Sequence, residues 1–182
     1  IKTLKKTKKN IEKLTQKAKE RKNTVTIVIS KLKDDAIESG HFYVQALDYA
    51  REILHSLNFI IGPTFDHVNN NHKPLSEPQI NELKLLSQHI GVYLTKISTD
   101  ISENNFGNQE ALVAEQQKVL GMIDLFRKNE VKRIKKDTSR TKNTLLFLNI
   151  LQESKNLLLF ALNLYKAQRD FVTYHQGKQK KS

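Results

Sequence analysis

Cysteine and tryptophan are absent from the 182 residues. That removes a disulfide framework, a thiolate metal site and a cysteine nucleophile from consideration, and it fits a reducing compartment. Only 6 glycines and 3 prolines punctuate the chain while 27% of it is charged, a composition that suits long helices joined by short turns. Long apolar runs are also missing. The longest uncharged stretches are Ile53 to Phe65 and Asn156 to Tyr165, short of the roughly 18–20 residues a bilayer-spanning helix needs, so the chain reads as soluble. It shows no signal or transit pattern and opens on Ile1 rather than Met, so it reads as a fragment of a longer protein. It lacks a His-Glu-x-x-His pair, a phosphate-cradling glycine loop and a nucleophile elbow, which argues against an enzyme.

What the chain does have is positive charge, +12 in total and unevenly placed. Residues 1–22 carry ten Lys/Arg against Glu12 and Glu20, and residues 127–142 carry eight against Glu130 and Asp137. Lys178, Lys180 and Lys181 add to this at the C-terminus, and the remaining body is mildly acidic. Basic ends on an acidic body imply attraction to a polyanion, either an anionic lipid leaflet or nucleic acid. Lys5, Lys6, Lys8, Lys9, Lys132, Arg133, Lys135 and Lys136 are the candidate contacts. Nucleic acid is disfavoured, because the basic segments offer only Phe126, at their margin, for base stacking.

Periodicity places five helices. Apolar residues near heptad spacing (Leu4, Ile11, Leu14, Ala18, Val25, Val28, Leu32) predict a first helix over residues 2–37, carrying the β-branched run from Val25 to Ile29 with it. A second helix is expected from His41 to Asn70, with Gly62-Pro63 producing a kink or break. The third has a defined start: Ser76 as N-cap, Gln79 closing a capping box, Pro78 in the first turn and Leu75 stapled to Ile80. Asn104 to Asn108 turns the chain into a fourth helix that ends in the basic cluster. The fifth, Thr141 to His175, is apolar over most of its circumference and belongs at a bundle centre. Its thin row of Asn149, Gln152, Asn156, Asn163 and Asp170 is expected to supply buried hydrogen bonds that fix register. The fold class is therefore all-α, an elongated antiparallel bundle of about five long helices.

One helix face stands out. Between residues 39 and 75, Phe42, Ala46, Tyr49, Ile53, Leu57 and Ile60 gather on one side, while His41, Gln45, Asp48, Glu52 and His55 form a stripe opposite. The stripe reads first as a solvated face. As a site, the i,i+4 pairs Asp34/Glu38 and Asp48/Glu52, with His41 or His55, would hold a divalent metal weakly, since no other helix supplies acids. No cofactor is required. His67, His72, His89 and His175 read as surface or helix-end residues rather than ligands.

The run GHFYVQALDYAREILHSLNFIIGPTFDHVNNNHKPL, with VKRIKKDTSRTKNTLLFLNILQESKNLLLFALNLYKAQRDF near the C-terminus, resembles the cytoplasmic PhoU-like domain at the C-terminus of bacterial Na/Pi-cotransporter family proteins. The resemblance spans roughly residues 30–172. It implies a PhoU-like bundle over 39–176, a basic juxtamembrane helix over 1–38 and a basic tail over 177–182. PhoU proteins gather metal on repeated Glu/Asp-x-x-x-Asp motifs, and this chain departs from that pattern, its pairs ending in Glu. The implied function is a regulatory or coupling domain of a sodium-dependent phosphate transporter, on the cytoplasmic face of the membrane. The implied partners are the transmembrane domain of the same polypeptide and the anionic membrane surface, and a leftover hydrophobic seam would support a homodimer. The alternatives are a free-standing PhoU-like phosphate-signalling adaptor and a polyanion-binding helical module.

Overall fold

The computed structural model describes residues 1–31, 37–136, 138 and 140–179, the side chains of Thr26, Val28, Glu38, His175 and residues 177–179 excepted. It is all-α, with five helices: α1 (Lys2–Ser30), α2 (Ile37–Asn69), α3 (Glu77–Ser102), α4 (Gln109–Lys135) and α5 (Thr141–Gln179). No strand occurs among the described residues. The first helix thus stops at Ser30, short of the expected residue 37, and Leu32 of its seam lies outside the described residues.

Cross-helix contacts fix an up-down-up-down-up arrangement. Asn58 donates to Thr15 Oγ1 at 2.9 Å and Lys8 lies over the Phe65 ring at 5.1 Å, so α1 and α2 are antiparallel. Asn149 donates to the Phe59 carbonyl and Phe42 meets Tyr174 edge-on, so α2 and α5 are antiparallel too. Gln79 reaches Glu130 between α3 and α4, and Gln116 donates to the Leu158 carbonyl between α4 and α5.

α5 is the spine, packing against α2, α3 and α4, while α1 packs only on α2 among the described residues. The core follows from the 3.6-residue period: Leu86, Ile90, Tyr93 and Ile97 from α3, Leu112, Val119, Ile123 and Phe126 from α4, and Phe147, Leu151, Leu158, Ala161 and Tyr165 from α5. Each fully buried Leu or Ile there is worth about 2–5 kcal/mol against truncation to Ala. The stretch Thr141–Tyr174 is long and apolar enough to cross a membrane by length and composition, and 44% of its most apolar window is buried in this bundle. α1 is peripheral by contrast. Among the described residues its buried side chains are Ile11 and Val25, and Leu14 is 51% exposed.

The third helix begins as its sequence dictates, with the Ser76 backbone N–H donating to Gln79 Oε1 at 2.9 Å. Left-handed backbone at Asn71 and Asn104 turns the chain at the ends of α2 and α3, a conformation asparagine tolerates. Two expectations are corrected. The break expected at Gly62-Pro63 does not occur, and α2 is continuous through Pro63. A proline lacks the N–H that would bond the carbonyl four residues back, here Phe59, and that carbonyl instead accepts from Asn149 Nδ2 at 2.7 Å. The amide row of α5 is likewise not buried. Asn149, Asn156 and Asn163 are half-buried and Gln152 is exposed, and Gln152 bonds Arg127 and Asn156.

Candidate functional site

The alternating topology brings the start of α1, the end of α2, the start of α3, the end of α4 and the start of α5 to one end of the bundle. Two basic segments more than a hundred residues apart in sequence therefore lie at the same end of the bundle. Lys5, Lys6 and Lys9 are exposed on α1, and Lys8 is half-buried over Phe65. Lys132, Lys135 and Lys136 are exposed at the end of α4, with Lys73, Arg140 and Lys142 exposed nearby. Aliphatic side chains are interleaved with them: Ile1, Val131, Ile134 and Leu145 are each at least 48% exposed. The N-termini of α1, α3 and α5 add their positive dipole ends, partly offset by the C-terminal carbonyls of α2 and α4.

Arg133 does not belong with these lysines. Its Nη2 lies 2.7 Å and its Nη1 3.3 Å from the Glu82 carboxylate, its Nε is 2.6 Å from Glu130 Oε2, and its side chain is only 15% exposed. Two carboxylates consume the guanidinium, so it has no charge to offer a polyanion. Burial disfavours that charge, but the bonds to Glu82 and Glu130 outweigh it and raise the Arg133 pKa. Glu130 is fully buried and also accepts from Gln79 Nε2 at 3.0 Å and Thr144 Oγ1 at 2.6 Å. Asn129 completes the set by donating to Glu82 at 2.8 Å, and the Phe147 ring lies 5.3 Å from the guanidinium carbon. This network locks α3, α4 and α5 together beneath the basic surface. Sequence reasoning missed it, though a signal was present: Val119, Ile123, Phe126 and Glu130 share one core-facing register, and an acid there demands a buried partner.

Beside the network, Pro63, Asp66, His67, Asn70, His72, Lys142, Leu145, Leu146 and Asn149 line an open cleft of about 570 Å³. His67 is a helix-end residue as expected, yet it is buried, its Nε2 is 3.0 Å from the Lys73 carbonyl, and its ring meets His72 edge-on. The carbonyl can only accept, so His67 Nε2 carries the proton. Lys142 Nζ stands 3.5 Å from His72 Nε2. Burial, the Lys142 ammonium and His67 lower the His72 pKa.

The stripe on α2 lies elsewhere, along the middle and far part of the bundle. Asp34 and the side chain of Glu38 fall outside the described residues. His41 is exposed, and Asp48 is paired with Lys22 at 3.6 Å and Arg51 at 3.3 Å. Glu52 is half-buried, and His55 opens on a cleft between α1 and α2 lined by Thr15, Ala18, Lys19, Lys22, Asn23, Arg51 and Leu54. Among the described residues, no group of three or more His, Cys, Asp or Glu is arranged to hold a metal ion. His89 pairs with Glu115 at 3.4 Å, and the His175 side chain is outside the described residues.

No family model, curated protein or solved structure matches this chain.

Proposed function

We propose that this chain is a non-catalytic helical module that seats its basic end on an anionic membrane surface, as the soluble regulatory or coupling part of a sodium-dependent phosphate transporter. The observation that carries the surface-seating reading is the convergence of residues 1–9 with residues 128–136 and 140–142 on one end of the bundle. Each Lys or Arg close to an anionic leaflet contributes about 1 kcal/mol. The exposed Ile1, Val131, Ile134 and Leu145 supply apolar contacts that a purely solvated lysine surface has no use for. The transporter context rests on the sequence resemblance.

Two experiments test the two parts. Co-sedimentation with phosphatidylcholine vesicles, with and without phosphatidylserine, should show binding only to the anionic vesicles and a decline with salt. The charge reversals K5E/K6E/K9E and K132E/K135E/K136E should each weaken it, and R133Q should act through stability alone. Tighter binding to duplex DNA than to anionic vesicles would overturn the membrane reading in favour of a nucleic-acid module. Separately, an antibody to the chain should detect a species well above 21.0 kDa in carbonate-washed membranes of the native cell. A soluble species near that mass would end the transporter reading.

A further inference from the structure

The stripe on α2 reads first as a solvated face and second as a weak cation site, but the packing of α1 reverses the sign of any site there. The cleft between the two helices, about 390 Å³, has Ala18 and Leu54 as its apolar floor. Three cations, Lys19, Lys22 and Arg51, surround it, with His55, Thr15 and Asn23 as further polar groups. The carboxylate nearest these cations is Asp48, held by both Lys22 and Arg51. Glu52, the next acid on α2, is half-buried beside Arg51, and Glu20, beside Lys19, accepts from Gln16. A carboxylate already holding two cations is a poor metal ligand, while the cations around it remain in excess.

Arg51 is the deciding residue. Its side chain is 27% exposed, yet among the described residues its guanidinium makes one single-pronged contact, at 3.3 Å, to Asp48. A guanidinium has five donors in a planar fork that matches a carboxylate or phosphate edge. A half-buried fork with most donors directed to no protein acceptor, flanked by two lysines, is built to receive an oxyanion. Lys19 has no protein partner among the described residues.

The geometry points to a binding site for a small oxyanion group carrying two negative charges, phosphoryl in type, between α1 and α2. Arg51 grips it, Lys19 and Lys22 neutralise it, and Asp48 positions Arg51 and Lys22. The site stands about 21 Å along α1 from Lys5, at 1.5 Å per residue. It is therefore out of reach of a surface on which the basic end rests, and its ligand is a free anion rather than a lipid headgroup. The choice of a free anion over a lipid headgroup rests on that membrane reading, whereas the anion site itself does not.

The test is a titration of the whole chain with inorganic phosphate, ionic strength held constant with sodium chloride, followed by amide and arginine side-chain NMR shifts. Saturable shifts confined to residues 15–23 and 48–55 are expected. R51Q should weaken binding by at least about tenfold, since the charge-assisted fork is lost, and R51K should fall between the two. The melting temperature of each variant, read alongside, shows whether the fold is retained, and K19A/K22A, at exposed positions, gives a second loss that does not rely on Arg51. No saturable shift at millimolar phosphate would overturn the inference, as would unchanged binding in folded R51Q and K19A/K22A. So would shifts centred on Lys5 to Lys9 and Lys132 to Lys136, which would place the anion at the basic end instead. Binding to phosphatidic acid vesicles with shifts at Arg51, and none with free phosphate, would also refute it.

Discussion

Pro63 and Asn149 should be coupled energetically although they sit on different helices and 86 positions apart. The proline removes the N–H that would bond the Phe59 carbonyl, and Asn149 Nδ2 bonds that carbonyl at 2.7 Å. Asn149→Leu keeps the size and leaves the carbonyl without either donor. A fully buried orphan acceptor costs about 1–3 kcal/mol. Phe59 lies near the surface, the residue being 57% exposed, so water recovers part of that loss and about 1 kcal/mol is expected. In the Pro63→Ala background the backbone N–H returns and supplies Phe59, so the same Asn149→Leu change should cost close to nothing. Pro63→Ala alone should stabilise α2, by less than the roughly 3 kcal/mol separating Pro from Ala in an unprepared helix, because Asn149 already relieves the proline. Urea unfolding of the four proteins, followed by far-UV circular dichroism, gives the coupling as the difference between the two Asn149→Leu effects. A coupling within about 0.3 kcal/mol of zero, the usual additivity error, would refute the account of why the helix runs through its proline.

Three further outcomes follow from two buried polar groups and from His72. Glu130→Ala removes the acceptor of Gln79, Thr144 and Arg133 at a fully buried site. It should cost about 3–5 kcal/mol, or about 6–20 °C in melting temperature for a chain of this size, and a melt within about 2 °C of wild type would contradict it. Tyr165 is fully buried, and among the described residues its hydroxyl makes no well-formed hydrogen bond, only a weak approach by the Asn108 backbone N–H. Burial and the nearby Asp100 carboxylate raise its pKa, so Tyr165→Phe should leave stability unchanged or raise it by about 1 kcal/mol, and a loss above that in calorimetry would show the hydroxyl to be satisfied. His72 has a folded pKa below its ordinary value, so between the two the unfolded chain binds more protons and stability rises with pH. The stability present above about pH 6.5 should therefore be lost as pH falls toward the folded value. Lys142→Met should lessen that loss, and an NMR titration midpoint for His72 at or above 6.5 would refute it.

Most of the fold was legible because the chain carries its own punctuation. The Ser76/Gln79 box and the Asn104 to Asn108 turn are local signals, and the observed bounds of α3 and α4 follow them. The errors arose wherever a distant partner changed what a local motif meant. Pro63 reads as a break until Asn149 is brought beside Phe59. The basic clusters were legible as charge, but their meeting at one end follows only from alternating helices. Arg133 reads as one cation among several until Glu82, 51 positions away, claims it. Asp48 reads as half of a metal pair until α1 brings Lys22 against it. The exposed faces were therefore the least legible, since solvation and pairing look alike in a one-dimensional pattern.

The unequal lengths of the helices make the molecule a strut rather than a compact block. α5 has 39 residues against 26 in α3 and 27 in α4, about 58 Å against about 40 Å at 1.5 Å per residue. Its far third outruns both partners and is held by the beginning of α2, where Phe42 meets Tyr174. Because the helix count is odd, the first residue and the end of α5 stand at opposite ends. Whatever is joined at the far end is held more than a bundle's thickness from whatever the lysine-rich end touches, and a push or twist there travels down one uninterrupted rod.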